Sequence, residues 1–295
     1  MTFDKEKILK AGKIASTIRE EARNFIKKNM LLIEIANKIE ARMEEEGVKP
    51  AFPTCLSVDN IAAHASPSHD DERTAKGILK IDMGVHVDGW IADTAFSLDL
   101  ENNEENKKII ETSEKALMNV IKKMKIEITL QEIGDTVYET MKTENLTPIT
   151  NLFGHSIDQY NLHSNLSIPN YDNGSTIALK PGLYAVEPFA TNGNGNVNDG
   201  KPSGIYKLMD DKNIRSPIAR EILNYLKKEY DNLPFCSRWI VKKFGTKASF
   251  GLKQLEENGN IYQYAELMES NHGKVAQTEH TILIEENGNV IVTTK

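Results

Sequence analysis

The segment IDMGVHVDGWIADTAFS, residues 81–97, has the pattern of a β-hairpin, because apolar residues alternate on both sides of Asp88-Gly89. Asp-Gly favours a two-residue hairpin loop, which would pair position 84 with 93 and position 82 with 95. Side chains repeat every two residues along a strand, so we expect Asp82 and Asp93 on one face as diagonal neighbours. Two carboxylates that close repel each other unless one is protonated or a cation lies between them. A solvated strand face with scattered acids is the alternative that this hairpin leaves open.

Two more acids interrupt apolar segments later in the chain. Glu187 lies in LYAVEPF, and Glu279 lies between QT and HTILI. Buried carboxylates rarely lack a partner, so four acids inside predicted strands indicate a shared cation site. His155, in NLFGHSI, adds an imidazole. Two divalent ions would neutralise four carboxylates, and this oxygen-rich donor set suits Mn, Fe(II) or Co(II), with Zn as a further candidate.

A helical pattern recurs at an interval of 98 residues. LIEIANKIEARMEEE, residues 32–46, aligns with LQEIGDTVYETMKTE, residues 130–144, with identical residues at five positions. The similarity predicts two related α+β halves, each a helix pair followed by strands; chance similarity between two amphipathic helices is the alternative. Apolar periodicity predicts the main elements: helices at 4–28, 31–46, 104–124 and 127–145, and a strand at 182–190.

The region after residue 190 has a different pattern. Residues 191–204 are rich in Gly and Asn and predict a loop, and SPIAREILNYLKKEY and LPFCSRWIVKKFG predict two short helices. With a hairpin turned at Asn258-Gly259, this region has the helix–helix–hairpin pattern of a small winged-helix unit. The last segment predicts a hairpin turned at residues 286–288.

Composition excludes several classes of protein. The 295-residue chain has a net charge of −7 and therefore lacks the broad positive field of a non-specific nucleic-acid binder. It has no run of eighteen or more apolar residues and no apolar signal-peptide core near the N-terminus. Cys55 and Cys236 give no disulfide framework and are expected in the core. These features predict a cytoplasmic protein.

Five segments, in order along almost the whole chain, resemble the type 2 methionine aminopeptidases of archaeal type: FPTCLSVDNIAAH, IDMGVHVDGWIADTAFS, GHSIDQYNLH, YAVEPFATNGNG and AQTEHTIL. The resemblance implies the α+β pita-bread fold, with pseudo-twofold halves around a curved antiparallel sheet. It implies a catalytic domain at residues 1–195 and 260–295, and a helical, winged-helix-like insertion at residues 196–259.

The resemblance also implies the site residues. The ligands of two divalent ions would be Asp82, Asp93, His155, Glu187 and Glu279. Asp93 and Glu279 would bridge both ions, and Glu187 would also act as general base. His64 and His163 would flank the substrate as catalytic residues and bind it together with Phe52, Leu162 and Tyr264. The other histidines, His69, His86, His272 and His280, have no such match and are interpreted as structural or solvent-facing.

The implied function is removal of the initiator methionine from nascent peptides and proteins with a small second residue, by hydrolysis with a hydroxide held by both metal ions. The substrate would be the N-terminal Met of nascent polypeptides, the protein would be a monomer, and neither nucleic acid nor membrane would be a partner; a ribosome contact is left open. Two alternatives remain: a proline-specific aminopeptidase, and a metal-free homologue that binds RNA or protein. Phe153, Asp158 and Ile205 depart from the animal enzymes and concern the shape of the pocket.

Overall fold

The computed structural model describes residues 3–295, so the first two residues of the predicted catalytic domain lie outside the described part. The helices are α1 (Lys5–Phe25), α2 (Leu32–Glu45), α3 (Glu104–Lys123), α4 (Leu130–Thr143), α5 (Pro217–Glu229), α6 (Ser237–Phe244) and α7 (Lys247–Glu257). Among the helices of this part of the chain, none combines the length and the hydropathy needed to cross a membrane.

Within residues 3–295 the strands form three antiparallel sheets. The strands of the first half are β1 (Lys49–Pro50), β2 (Cys55–Val58), β3 (Ile61–Ala63), β4 (Ile78–Val87), β5 (Trp90–Asp99), β6 (Thr147–Pro148), β7 (Gly154–Ile157) and β8 (Ser167–Ile168). They are followed by β9 (Gly182–Val186), β10 (Phe189–Thr191), β11 (Val197–Leu208), β12 (Phe235–Cys236), β13 (Ile261–Glu269), β14 (Val275–Gln277), β15 (Glu279–Ile284) and β16 (Val290–Val292).

The largest sheet has the order β1-β4-β5-β15-β9-β7-β8, with β2 paired to β4 and β16 paired to β15. A second sheet has the order β14-β10-β6, and a third has the order β12-β11-β13-β3. Helices α1 to α4 cover one face of the large sheet, where they bury its apolar side chains. The other face is left for the cavity described below. The predicted α+β fold is confirmed.

Two apolar cores correspond to the two predicted halves. In the first, Ile18 of α1 and Ile35 of α2 pack with Leu79 and Met83 of β4. In the second, Leu117 of α3 and Val137 of α4 pack with strands β9 and β15. Each fully buried side chain of this size contributes about 1.5–3 kcal/mol. Helices α2 and α4 begin and end 98 residues apart, as do strands β1 and β6, so the repeat in the sequence is also a repeat of structure.

The hairpin of residues 81–97 has the predicted register. Gly84 pairs with Asp93, and Asp82 pairs with Ala95. Asp88 and Gly89 both have positive φ, at 48° and 82°, as a type I′ turn requires. The two acids therefore project from the face of the sheet that the helices do not cover.

Three predictions after residue 180 are wrong in detail. The strand at 182–190 is broken at Glu187-Pro188, since proline has no N–H to donate to a neighbouring strand. Residues 197–204, predicted as loop, belong to the long strand β11, which pairs with β13. Residues 249–257, predicted as one arm of a hairpin, belong to α7, because Ala248, Leu252 and Leu255 recur at helical spacing and pack in the core of this region.

The predicted division at residues 196–259 stays a prediction. Strand β11 lies inside the predicted insertion, β13 lies outside it, and β13 also pairs with β3 of the first half. One sheet therefore crosses the predicted boundary.

A buried ion pair connects α6 to α2. The guanidinium of Arg238 donates to Glu40 through Nη1, at 2.7 Å, and through Nη2, at 2.8 Å. Trp239 Nε1 donates to the same carboxylate at 2.8 Å. Both members of the pair are less than a tenth exposed, so the contact is shielded from water and salt.

We expect Arg238→Met to lower the free energy of unfolding by about 3–5 kcal/mol, because Glu40 is left buried without its cation. Denaturant unfolding measures the change. Arg220→Met, the same substitution at an exposed position of α5, is the control and should change stability by no more than about 0.5 kcal/mol. Equal effects of the two substitutions would contradict a stabilising role for the pair.

Candidate metal centre

Five neighbouring strands of the large sheet bring one polar side chain each to a single cavity. Their order is β4-β5-β15-β9-β7. In that order they carry Asp82, Asp93, Glu279, Glu187 directly after the end of β9, and His155. The five residues are spread over almost 200 positions of the chain, and the strand order makes them neighbours.

Three side chains of this cluster lie close enough together to hold one metal ion. Asp93, His155 and Glu279 are buried, and each offers one atom within 4.8 Å of the others. His155 Nε2 lies 3.8 Å from Asp93 Oδ2 and 3.7 Å from Glu187 Oε1. These separations leave room for a cation among the groups.

Three buried carboxylate oxygens of this cluster have no hydrogen-bond partner within residues 3–295: Asp82 Oδ1, Asp93 Oδ1 and Glu279 Oε1. An unpartnered buried oxygen is costly, and a carboxylate oxygen that lacks a donor is an available metal ligand. The donor set of carboxylates and one imidazole fits a divalent cation such as Mn or Fe(II), and it differs from the thiolate-rich set of a structural zinc site.

Burial and the close approach of other acids shift the pKa values of the clustered side chains. Burial raises the pKa of Asp82 to about 7. Burial, followed by the charge of neighbouring acids, raises the pKa values of Asp93, Glu187 and Glu279 well above their ordinary range. Burial lowers the pKa of His155 to about 4, so this imidazole is neutral at pH 7 and keeps a lone pair for a metal.

Two further histidines line the same cavity. The ring of His163 lies edge-on to that of His155, with centroids 4.4 Å apart. His64 lies edge-on to Tyr264, with centroids 5.5 Å apart, and its φ of 62° is a conformation that non-glycine residues rarely adopt. Burial lowers the pKa of His64, and it lowers the pKa of His163 to about 3 with help from nearby positive charge.

The other wall of the cavity is largely apolar. Phe52 and Leu162 line it together with Tyr264 and Ile205, in a cavity of about 210 Å³. Gly84 makes room for Phe52, because a Cβ at Gly84 would come within 2.3 Å of the phenyl ring. The cavity thus places an apolar pocket beside the carboxylate cluster.

The ten residues predicted to bind metal, bind substrate or act in catalysis all line this one cavity: Phe52, His64, Asp82, Asp93, His155, Leu162, His163, Glu187, Tyr264 and Glu279. Of the three residues expected to concern the shape of the pocket, Phe153 and Ile205 also line it and Asp158 does not. The remaining histidines lie elsewhere. His69 and His272 are exposed, His86 accepts a hydrogen bond from the backbone of Gly89, and His280 contacts Arg19 and Thr294 on the helix-covered face.

Sequence reasoning missed Gln277. Its Nε2 lies 3.3 Å from Asp82 Oδ2, 3.3 Å from Glu187 Oε2 and 3.5 Å from Glu279 Oε2. The predicted site contains charged and metal-binding residue types, and an amide belongs to neither class. The signal was its position two residues before Glu279, a spacing that places side chains on one face of a strand.

Comparison with known proteins gives a consistent result. A family model described as "Metallopeptidase family M24" matches residues 6–286. The methionine aminopeptidase of Methanocaldococcus jannaschii is 43% identical, over 98% of this chain and 98% of that protein. The structure of a thermophilic Arx1 is similar with a TM-score of 0.83 at 15% identity, covering 98% of this chain and 90% of that one. The structure of methionine aminopeptidase from Thermotoga maritima gives 0.71 at 23% identity, covering 98% and 96%. The solved structures show the fold, and the predicted pita-bread architecture is confirmed.

Metal binding is expected to displace protons. With the pKa of Asp82 raised from 3.8 to about 7, the metal-free cluster holds protons at neutral pH, whereas His155 holds none. A cation must compete with those protons. We expect the affinity for Mn²⁺ to rise between about pH 6 and about pH 8, with fewer protons released per ion at the higher pH. Calorimetry in buffers of different ionisation enthalpy measures both quantities.

The matched variants are Asp82→Asn, in the cluster, and Asp88→Asn, at the exposed tip of the same hairpin. The first should weaken binding and reduce proton release, and the second should change neither. An affinity for Mn²⁺ that does not vary with pH would contradict this account of the cluster.

Proposed function

The chain belongs to metallopeptidase family M24, and we propose that it removes the N-terminal methionine from peptides and proteins by metal-dependent hydrolysis. The proposal depends on one observation above all: five neighbouring strands each bring a ligand-type side chain to one cavity, whose other wall is an apolar pocket. The name of the Methanocaldococcus jannaschii relative, at nearly full coverage, supports the same activity and favours it over a metal-free binding protein or a proline-specific peptidase.

We assign the metal ligands as Asp82, Asp93, His155, Glu187 and Glu279, with Asp93 and Glu279 shared by two divalent ions. Strands β5 and β15 are neighbours in the sheet and bring ligand atoms of Asp93 and Glu279 within 4.8 Å of each other, which supports this sharing. Fe(II), Mn, Co and Zn are the candidate ions. When bound, such ions lower the pKa of a water molecule toward ~7 and polarise a carbonyl group.

Glu187 is the proposed general base. It lies at the break between β9 and β10, where its carboxylate reaches the cavity without being fixed by strand pairing on both sides. It would take a proton from the attacking water and pass it to the amine that leaves as the peptide bond breaks. This transfer returns the carboxylate to its starting state.

His64 and His163 are the proposed groups that hold the scissile amide. Their lowered pKa values keep both imidazoles neutral at pH 7, so each has one N–H to donate and one nitrogen to accept. A neutral N–H donor can bind the amide carbonyl and stabilise the negative charge that develops on its oxygen. Neither histidine adds positive charge that would compete with a cation for the carboxylates.

Specificity would come from the apolar wall. Phe52, Leu162 and Tyr264 suit an unbranched thioether, for which each sulfur–aromatic contact contributes about 0.3–1.5 kcal/mol. The substrate would be the N-terminal Met of nascent polypeptides with a small second residue, in the cytoplasm. A monomer as the active form stays a prediction. A contact with the ribosome stays a prediction.

The first test is a peptide panel assayed with metal-stripped protein to which Mn, Fe(II), Co or Zn is added back. We expect cleavage of Met-Ala-Ser and much slower cleavage of Met-Leu-Ser, because the larger second residue would crowd the mouth of the cavity. Release of the free N-terminal amino acid is the measurement. Preference for an Ala-Pro peptide would indicate a proline-specific enzyme, and no cleavage with any metal would indicate a binding protein.

The second test is Glu187→Gln. We expect kcat to fall by about 10²–10⁴-fold, because a general base is lost, while thermal unfolding of the metal-free protein shows a folded chain. Glu72→Gln, at an exposed acid that does not line the cavity, is the control and should keep wild-type kcat. A kcat of Glu187→Gln within a few-fold of that of the control would contradict the role of Glu187 as general base.

A further inference from the structure

Gln277 lies at the junction of the segments that carry the carboxylates. Its side chain is 1% exposed. Its backbone N–H donates to Ser97 Oγ at 3.0 Å, and the Ser97 hydroxyl donates back to its carbonyl at 2.8 Å, which fixes it to β5. On its other side it pairs with Phe189, two residues beyond Glu187. The backbone therefore holds the amide in one place, independently of the acids.

The amide contacts one oxygen of each of three acids. It does not contact the second oxygen of any of them. It approaches Oδ2 of Asp82 and Oε2 of Glu279, and the remaining oxygens, Asp82 Oδ1 and Glu279 Oε1, are those that have no partner within the described residues. It also approaches Oε2 of Glu187, whose Oε1 faces His155. The amide thus contacts the oxygens on one side of this cluster of carboxylates, and the oxygens on the other side are available to a cation.

An amide suits this position better than a charged donor. Its two N–H groups are shared among three acceptors, which accords with the three long separations of 3.3–3.5 Å. It supplies donors without a net charge, so it does not neutralise the acids that attract a cation. Lys or Arg would satisfy the same oxygens but would oppose binding of the ion.

We propose that Gln277 is a positioning residue of the metal centre: its amide turns Asp82, Glu187 and Glu279 so that their free oxygens converge on the cation. This inference rests on the metal centre of the proposed function and concerns a residue outside the ligand set. Groups that orient metal ligands in this way typically change affinity by about 10–100-fold when removed.

The test compares Gln277→Met with Thr278→Val in the metal-stripped protein. Methionine keeps the unbranched length and removes both donors. Thr278 is the next residue, and its buried hydroxyl has no hydrogen-bond partner within residues 3–295, so Val removes a buried oxygen that makes no hydrogen bond to the proposed ligands. Mn²⁺ affinity by calorimetry and the visible spectrum of the Co²⁺-loaded protein are measured without peptide. Circular dichroism confirms folding, and Gln277→Asn, which keeps a shorter amide, is used if the Met variant does not fold.

We expect a dissociation constant for Mn²⁺ about 10–100-fold higher for Gln277→Met, and a changed Co²⁺ spectrum, with Thr278→Val matching the wild type in both. The Asn variant should shift both readouts in the same direction, since its amide stops short of the acids. Affinity within twofold of the wild type and an unchanged spectrum would overturn the proposal, as would an equal loss in Thr278→Val. Mn²⁺ binding that needs Gln277 in a protein that cleaves no methionyl peptide would contradict the proposed function and leave this inference standing.

Discussion

Mutual repulsion among four carboxylates beside one cavity is the constraint on which the account of this site depends. Strand pairing between β4, β5, β15 and β9 forces these acids together, and burial then raises their pKa values. Without a cation they must hold protons, and within the described residues 3–295 three of their oxygens have no donor. On our proposal, a pair of divalent ions would relieve this repulsion and supply the chemistry of hydrolysis. The neutral histidines and the neutral amide of Gln277 complete the site without competing for its negative charge.

The fold separates the functions of the two faces of its large sheet. Helices α1 to α4 bury one face and supply most of the apolar packing, so the other face can carry polar groups. Two breaks in the pairing, at Glu187-Pro188 and at Thr278, lie against each other, where the Thr278 N–H meets the Pro188 carbonyl at 3.4 Å. Glu187 lies in one of these breaks and Gln277 ends β14 beside the other, and the Gln277 amide reaches the Glu187 carboxylate at 3.3 Å.

Local patterns predicted much of this structure. The Asp88-Gly89 turn determined the register of the hairpin, and the 98-residue repeat corresponds to helices α2 and α4. The convergence of residues as distant as Asp82 and Glu279 could not follow from local patterns, because it depends on the order of strands across the sheet. The acids that interrupt apolar segments indicated a shared cation site, and the resemblance to a known family supplied its ligand set. The error at 249–257 has a simpler origin: Asn258-Gly259 lies between helix α7 and strand β13 and does not close a hairpin. Gln277 was missed because neutral amides carry no charge signal.

The most direct measurement is anomalous diffraction from a crystal of the metal-stripped protein soaked in Mn²⁺. The account predicts two anomalous peaks within the cavity, both coordinated by Asp93 and Glu279, with Asp82, His155 and Glu187 completing the coordination. It also predicts that the Gln277 amide contacts carboxylate oxygens that do not face the ions. Absence of anomalous density in the cavity, with the five side chains turned toward separate partners, would contradict it.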